Sequence, residues 1–99
     1  MANEMKFGTR CVHDGEGHNP HGAHSTPIYQ TSTFLFENAE QAEAIFSGGP
    51  GYKYIRSAPN TPTHAAFVEK LCSLEGGKAG LAFSSGMAAE TAIVLSRLK

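Results

Sequence analysis

No run of lysine or arginine occurs in these 99 residues, and eight basic side chains against nine acidic ones leave a formal net charge of −1. Nucleic acid and anionic membrane surfaces are held by a basic face, so neither is expected as a partner. No apolar stretch approaches the roughly 20 residues that a membrane-spanning helix requires, and no signal peptide opens the chain, so a soluble protein is expected. Cysteine is scarce. Cys11 and Cys72 lie far apart and form no C-x-x-C pair, which fits a reducing, cytoplasmic setting in which both act as small, partly buried hydrophobes. A Walker loop, a G-x-G-x-x-G fingerprint, internal repeats and low-complexity tracts are all missing as well.

What is present is a hydrophobic content of 40%, with six Phe and three Tyr, enough for one small soluble domain. Residues 1–36 hold four of the five histidines, two prolines and four glycines, with neither a helical nor a sustained strand period. This part reads as an extended arm. A segment of that length without regular structure is expected to lie across something else, such as a partner subunit. Its one strand-like piece is 27–36, rich in Thr, Tyr, Ile and Phe.

Three helices are predicted beyond the arm. Asn38 caps one that runs from Ala39 to Phe46 and is stopped by Gly48-Gly49-Pro50. Thr61 caps a second with Pro62 at its first position; Phe67, Leu71 and Leu74 share a face, and Gly76-Gly77 ends it. The third runs from about Ser85 to Leu98 with Met87, Thr91, Val94, Leu95 and Leu98 on one side. Between the last two, 79–83 reads as a short buried strand. Helix, strand, helix is an α/β pattern, but one strand makes no sheet, so the apolar face of the third helix lacks a partner within this sequence.

The break from 79–83 into Ser84-Ser85-Gly86-Met87 is where chemistry is expected. The first N–H groups of a helix have no intrahelical acceptor and the helix dipole is positive there, so an anion settles at such a turn. The competing reading is a strand-to-helix connection that uses Ser and Gly for capping alone. A serine nucleophile elbow fails, because neither serine has a glycine two positions before it and no histidine follows in the chain. A second constellation is 51–56, where Tyr54 and Arg56 point the same way if the backbone is extended. A guanidinium fork and a phenol suit a phosphate; a surface arginine beside a packing tyrosine is the alternative. A third is His18, His21 and His24 with His13, which invites zinc, although Pro20 and Gly22 break any helix that would align them. His64 reads as an exposed or boundary residue.

Taken together these pieces resemble the pyridoxal-phosphate-dependent Cys/Met metabolism family, the trans-sulfuration enzymes such as cystathionine γ-synthase, O-acetylhomoserine sulfhydrylase and methionine γ-lyase. Residues 9–14 resemble its opening segment around a histidine. Pro27-Ile28-Tyr29-Gln30-Thr31-Ser32-Thr33-Phe34 matches P-I-Y-Q-T-S-T-F, Tyr54-Ile55-Arg56 matches Y-x-R, Leu74-Glu75-Gly76-Gly77 matches L-E-G-G, and Ser84-Ser85-Gly86-Met87-Ala88-Ala89 matches S-S-G-M-A-A.

The resemblance implies an α/β fold: an N-terminal extended arm followed by the first helix-strand-helix of a fold-type I PLP-dependent transferase large domain. By it, residues 1–50 are an inter-subunit arm with a short helix, and 51–99 begin the cofactor-binding domain. It further implies that Gly86 and Met87 hold the phosphate of pyridoxal 5′-phosphate with Ser85 nearby, while Tyr54 and Arg56 reach the phosphate held by a neighbouring subunit of a homo-oligomer. Two departures stand out. The run Ser57-Ala58-Pro59-Asn60-Thr61-Pro62-Thr63 replaces the family's shorter G-N-P-T-like connection after Arg56. The lysine that tethers the cofactor, its ring-nitrogen aspartate, its stacking tyrosine and the substrate-binding arginine match no position here, and Lys6, Lys53, Lys70, Lys78 and Lys99 fall outside the lysine motif. The expectation is therefore the N-terminal portion of an enzyme that carries out γ- or β-elimination or replacement on a sulfur amino acid or O-acylhomoserine. Sulfhydrylase and methionine γ-lyase are favoured, and the 99 residues alone are expected to be inactive. The alternatives are a non-catalytic fragment acting through subunit association and a His-rich metal-binding arm.

Overall fold

A computed structural model of the chain describes residues 5–17, 19–57 and 61–98. Four helices follow one another: α1 Phe7–His13, α2 Ala39–Phe46, α3 Pro62–Glu75 and α4 Gly86–Arg97. The last three begin where capping chemistry places them. Asn38, Thr61 and Ser85 all have extended backbones, and their side chains accept from the N–H groups of Gln41, His64 and Ala88. At the other end of α3, Gly76 takes the left-handed conformation at φ 69° and returns its N–H to the Cys72 carbonyl.

α1 departs from the sequence reading, which gave residues 1–36 no helix. The segment has poor helix formers in Gly8, Thr9 and Val12, no acid in its first turn, and no side-chain cap at Lys6. It is helical because it docks on α3. The Arg10 Nε donates to Ser73 Oγ at 2.9 Å and lies 3.5 Å from the Asp14 carboxylate, and Ser73 Oγ donates to Asp14 in turn. Just beyond, Gly15 is buried at φ 76°, and a Cβ there would fall against the Ala66 carbonyl oxygen. Glu16 then pairs with Lys70 at 2.9 Å and accepts from the N–H and hydroxyl of Thr26. Ala66, Lys70 and Ser73 lie four and three apart, so the arm binds one stripe of α3. Phe67 and Leu71 remain exposed beside it.

α2 packs on the following loop. Ile45, the one buried apolar side chain among the described residues, lies where a Cβ on Gly51 would sit 2.6 Å from its Cδ1. The Lys53 ammonium lies 4.8 Å from the Phe46 ring centroid and donates to the Ile45 carbonyl at 3.4 Å. Phe36 meets Phe46 and Phe34 meets Tyr52 at ring-centroid distances of 5.9 and 5.6 Å. These contacts seat 51–56 between α2 and the arm.

Both strand expectations give way to irregular chain. From 27–36 only an antiparallel bridge between Thr33 and Tyr54 forms, and 79–83 finds no ladder partner among the described residues. A strand without neighbours leaves its N–H and C=O groups to water, so sequence character alone does not produce a ladder. As anticipated, the apolar side of α4 is uncovered: Met87, Val94, Leu95 and Leu98 are all at least half exposed. A groove of about 660 Å³ runs between 79–83 and α4, lined by Leu81, Phe83, Ala89 and Ile93. The Cα radius of gyration of 15.7 Å, against about 13 Å for a closed domain of this length, reflects the same open arrangement. Cys72 is half-buried beside Gly80, as read from sequence, whereas Cys11 on α1 is exposed.

Candidate functional site

The start of α4 is a pair of free donors. Ser85 sits at φ −156°, ψ 160°, and its hydroxyl accepts from the Ala88 N–H at 3.1 Å while its carbonyl accepts from the Ala89 N–H at 3.2 Å. Of the first four N–H groups of the helix, the third and fourth are thereby engaged. Those of Gly86 and Met87 precede the first intrahelical bond and have no acceptor within the helix. A Cβ built on Gly86 meets nothing within 4 Å, so the approach to both donors is open. Ser85, Gly86 and Met87 are exposed. Two N–H groups at a positive helix end, a neighbouring hydroxyl and open space fit a phosphate.

The second group is built on the bridge from the arm. The Phe34 N–H donates to the Lys53 carbonyl at 3.2 Å and the Ile55 N–H to the Ser32 carbonyl at 2.9 Å, which anchors the backbone on either side of Tyr54. The chain then turns at Ile55 and Arg56 instead of continuing extended. The pair nevertheless ends up together: the Arg56 guanidinium lies over the Tyr54 ring, 4.2 Å from its centroid. Ser57 closes the turn by donating both its N–H, at 2.9 Å, and its hydroxyl, at 2.8 Å, to the Tyr54 carbonyl. In the sequence Ser57 stands out only as part of an altered loop; its place three residues after Tyr54 is the sign that a hydroxyl could turn back on that carbonyl. Next to Tyr54, burial pushes the Tyr52 phenol above its usual range, with Glu69 and Tyr29 adding to the effect.

No hydrogen bond or ion pair joins Tyr54 or Arg56 to the start of α4 among the described residues. A cleft of about 550 Å³ opens beside the Tyr54 turn, lined by Tyr29, Thr31, Ser32, Thr61 and His64. His64 is half-buried there, its Nδ1 3.3 Å from the capping hydroxyl of Thr61. His13 and His24 meet edge to face with ring centroids 6.0 Å apart, and no group of three metal-ligating side chains assembles among the described residues. His18 lies outside them, as do the Ala58, Pro59 and Asn60 of the altered loop.

The family described as Cys/Met metabolism PLP-dependent enzyme matches residues 8–99. L-methionine gamma-lyase of Porphyromonas gingivalis is 46% identical over 84 residues, which are 84% of this chain and 21% of that enzyme. O-acetyl-L-homoserine sulfhydrylase of Corynebacterium glutamicum is 37% identical over 99 residues, 96% of this chain and 22% of the other. A crystal structure of metB from Corynebacterium glutamicum aligns with a TM-score of 0.78 at 35% identity, covering 98% of this chain and 23% of that one. The chain thus spans between a fifth and a quarter of the length of these relatives. The fold is the N-terminal portion of a fold-type I PLP-dependent transferase, as the sequence resemblance implied.

Proposed function

This chain belongs to the Cys/Met metabolism PLP-dependent enzyme family, and from that premise we propose that it is the phosphate-binding, N-terminal portion of an enzyme acting at the γ- or β-carbon of a sulfur amino acid or an O-acylhomoserine. The family's cofactor is pyridoxal 5′-phosphate. When bound, this group withdraws electrons from the substrate's α-carbon and so eases loss of its proton. In our reading Gly86 and Met87 donate their N–H groups to the cofactor's phosphate and Ser85 stands beside it. The observation that carries this is the capping of α4, which engages the Ala88 and Ala89 N–H groups on Ser85 and leaves the two before them for a ligand.

Tyr54 and Arg56 form the second half of the proposal. They serve the phosphate of a neighbouring subunit in a homo-oligomer, with residues 1–50 as the arm that reaches across and 51–99 as the start of the cofactor-binding domain. Support comes from the bridge between arm and loop at Thr33 and Tyr54, which ties the placement of Arg56 to that of the arm. In this reading these 99 residues contribute groups that bind the cofactor's phosphate and contacts between subunits, and none of them is assigned a catalytic role. Elimination from methionine and sulfhydrylation of O-acetylhomoserine are the favoured reactions, because relatives with those names align over most of this chain.

The test is turnover by the longer enzyme of which, in our reading, these 99 residues are the N-terminal portion, supplied with pyridoxal 5′-phosphate. Release of methanethiol and ammonia from methionine, or formation of homocysteine from O-acetylhomoserine and sulfide, is the expected result. Failure to turn over any sulfur amino acid or O-acylhomoserine, with the cofactor demonstrably bound, would refute the assignment.

A further inference from the structure

The turn that carries Arg56 is closed by the Ser57 N–H and reinforced by the Ser57 hydroxyl. Upstream, the backbone is fixed by the Ile55 N–H on the Ser32 carbonyl and the Phe34 N–H on the Lys53 carbonyl. Downstream, the Tyr54 carbonyl receives both donors of Ser57, at 2.9 and 2.8 Å. Arg56 lies inside this closed turn with its guanidinium 4.2 Å from the Tyr54 ring centroid, while the side chain as a whole is exposed. An exposed arginine ordinarily spreads over many rotamers, and ordering it on binding an anion costs affinity. A turn that fixes the Arg56 backbone beside Tyr54, with the guanidinium over the ring, removes part of that disorder beforehand.

The geometry points to Ser57 as a positioning residue for Arg56: its hydroxyl adds a second bond to the Tyr54 carbonyl beside the one from its N–H, stiffens the turn, and so presents the guanidinium pre-stacked and ready for a phosphate. Ser57 is neutral, so its removal leaves the charge of the site unchanged and alters only the placement of Arg56. This inference rests on the reading of Arg56 as a phosphate contact. It adds a residue that touches neither substrate nor cofactor.

The experiment is a double-mutant cycle in the longer enzyme proposed to carry these 99 residues, read by equilibrium dialysis of pyridoxal 5′-phosphate. Arg56→Ala should weaken binding roughly ten-fold or more, as expected for loss of a charge-assisted bond. Ser57→Ala should weaken it about five-fold, the effect of one neutral hydrogen bond, and Ser57→Thr, which keeps the hydroxyl, should restore it. In the Arg56→Ala background, Ser57→Ala should have no further effect. The ring-current shift of the Arg56 δ-protons gives a second reading independent of ligand: it should fall toward the random-coil value in Ser57→Ala, which keeps only the backbone bond, and return in Ser57→Thr.

Wild-type binding or an unchanged δ-proton shift in Ser57→Ala, with Arg56→Ala impaired, would overturn the role of Ser57 and leave that of Arg56 standing. An equal loss from Ser57→Ala with and without Arg56 would overturn it too, because Ser57 would then act by another route. Wild-type binding by Arg56→Ala would instead overturn the phosphate reading itself, and this inference with it.

Discussion

Replacing Gly86 by proline removes one backbone donor from the α4 N-terminus and changes little else. Proline is well suited to the first helical position, where its missing N–H has no intrahelical acceptor to lose and its fixed φ matches the helix. It also requires the preceding residue to be extended, which Ser85 already is at φ −156°, ψ 160°. A Cβ at Gly86 meets nothing within 4 Å, so the ring has room to start. Folding stability should therefore be unchanged or higher by up to about 1 kcal/mol, because the unfolded chain loses freedom. Binding of a phosphate should suffer. Loss of a hydrogen bond to a charged group is worth about 1.5–3 kcal/mol, or roughly ten- to 150-fold in affinity. Gly86→Ala is the control, since it adds the Cβ and keeps the N–H. Fluorescence titration of the full-length variants with pyridoxal 5′-phosphate gives the comparison. Affinity within two-fold of wild type in Gly86→Pro, or an equal loss in Gly86→Ala, would refute the claim that the N–H group is the contact.

Other expectations concern the arm and the uncovered helix. Gly15→Ala should loosen α1 from α3, because a non-glycine residue at φ 76° carries about 1–2 kcal/mol of strain and its Cβ meets the Ala66 carbonyl; faster amide exchange across Phe7–His13 is the readout, and unchanged exchange would count against it. Hydrogen bonds from Lys70 first, then from the backbone and hydroxyl of Thr26, lower the Glu16 carboxyl from an ordinary 4.5 to about 2. A folded-state value below the unfolded one means that the stability this tie contributes is fully present above about pH 4.5 and is lost as the pH falls through about 2, where the folded carboxylate itself takes up its proton. The Thr26 amide shift should follow that titration in wild type and stay flat in Glu16→Gln. The 99 residues expressed alone should aggregate or unfold without a cooperative transition and show no turnover, since Ile93, Val94 and Leu95 remain exposed; a monodisperse monomer with a sharp thermal transition would contradict this.

The parts of the fold that were legible in the sequence are those decided within one helical turn. Asn38, Thr61 with Pro62, Ser85 and Gly76 all mark helix ends by local hydrogen bonding, and each end lies where those residues place it. α1 was not legible, because its helical state depends on Ser73, 63 positions from Arg10, and on a glycine that fits against Ala66. The expectation of a buried strand at 79–83 does not hold: Leu81 and Phe83 are exposed, because a ladder and its cover need neighbouring strands, and none of the described segments supplies one. At the site, the free donors of Gly86 and Met87 follow from capping rules alone. The turn at Arg56 does not: an extended backbone would also bring Tyr54 and Arg56 to one side, and the choice between them is made by Ser57 and by the arm at Ser32 and Phe34.

The central claim is that the start of α4 holds the phosphate of pyridoxal 5′-phosphate through Gly86 and Met87. A crystal structure of the longer enzyme proposed to carry these 99 residues, with the cofactor bound, tests it most directly. The account predicts phosphate oxygens within about 3.2 Å of both backbone nitrogens, along the N–H directions. A phosphate seated elsewhere, with both N–H groups bonded to water, would contradict it.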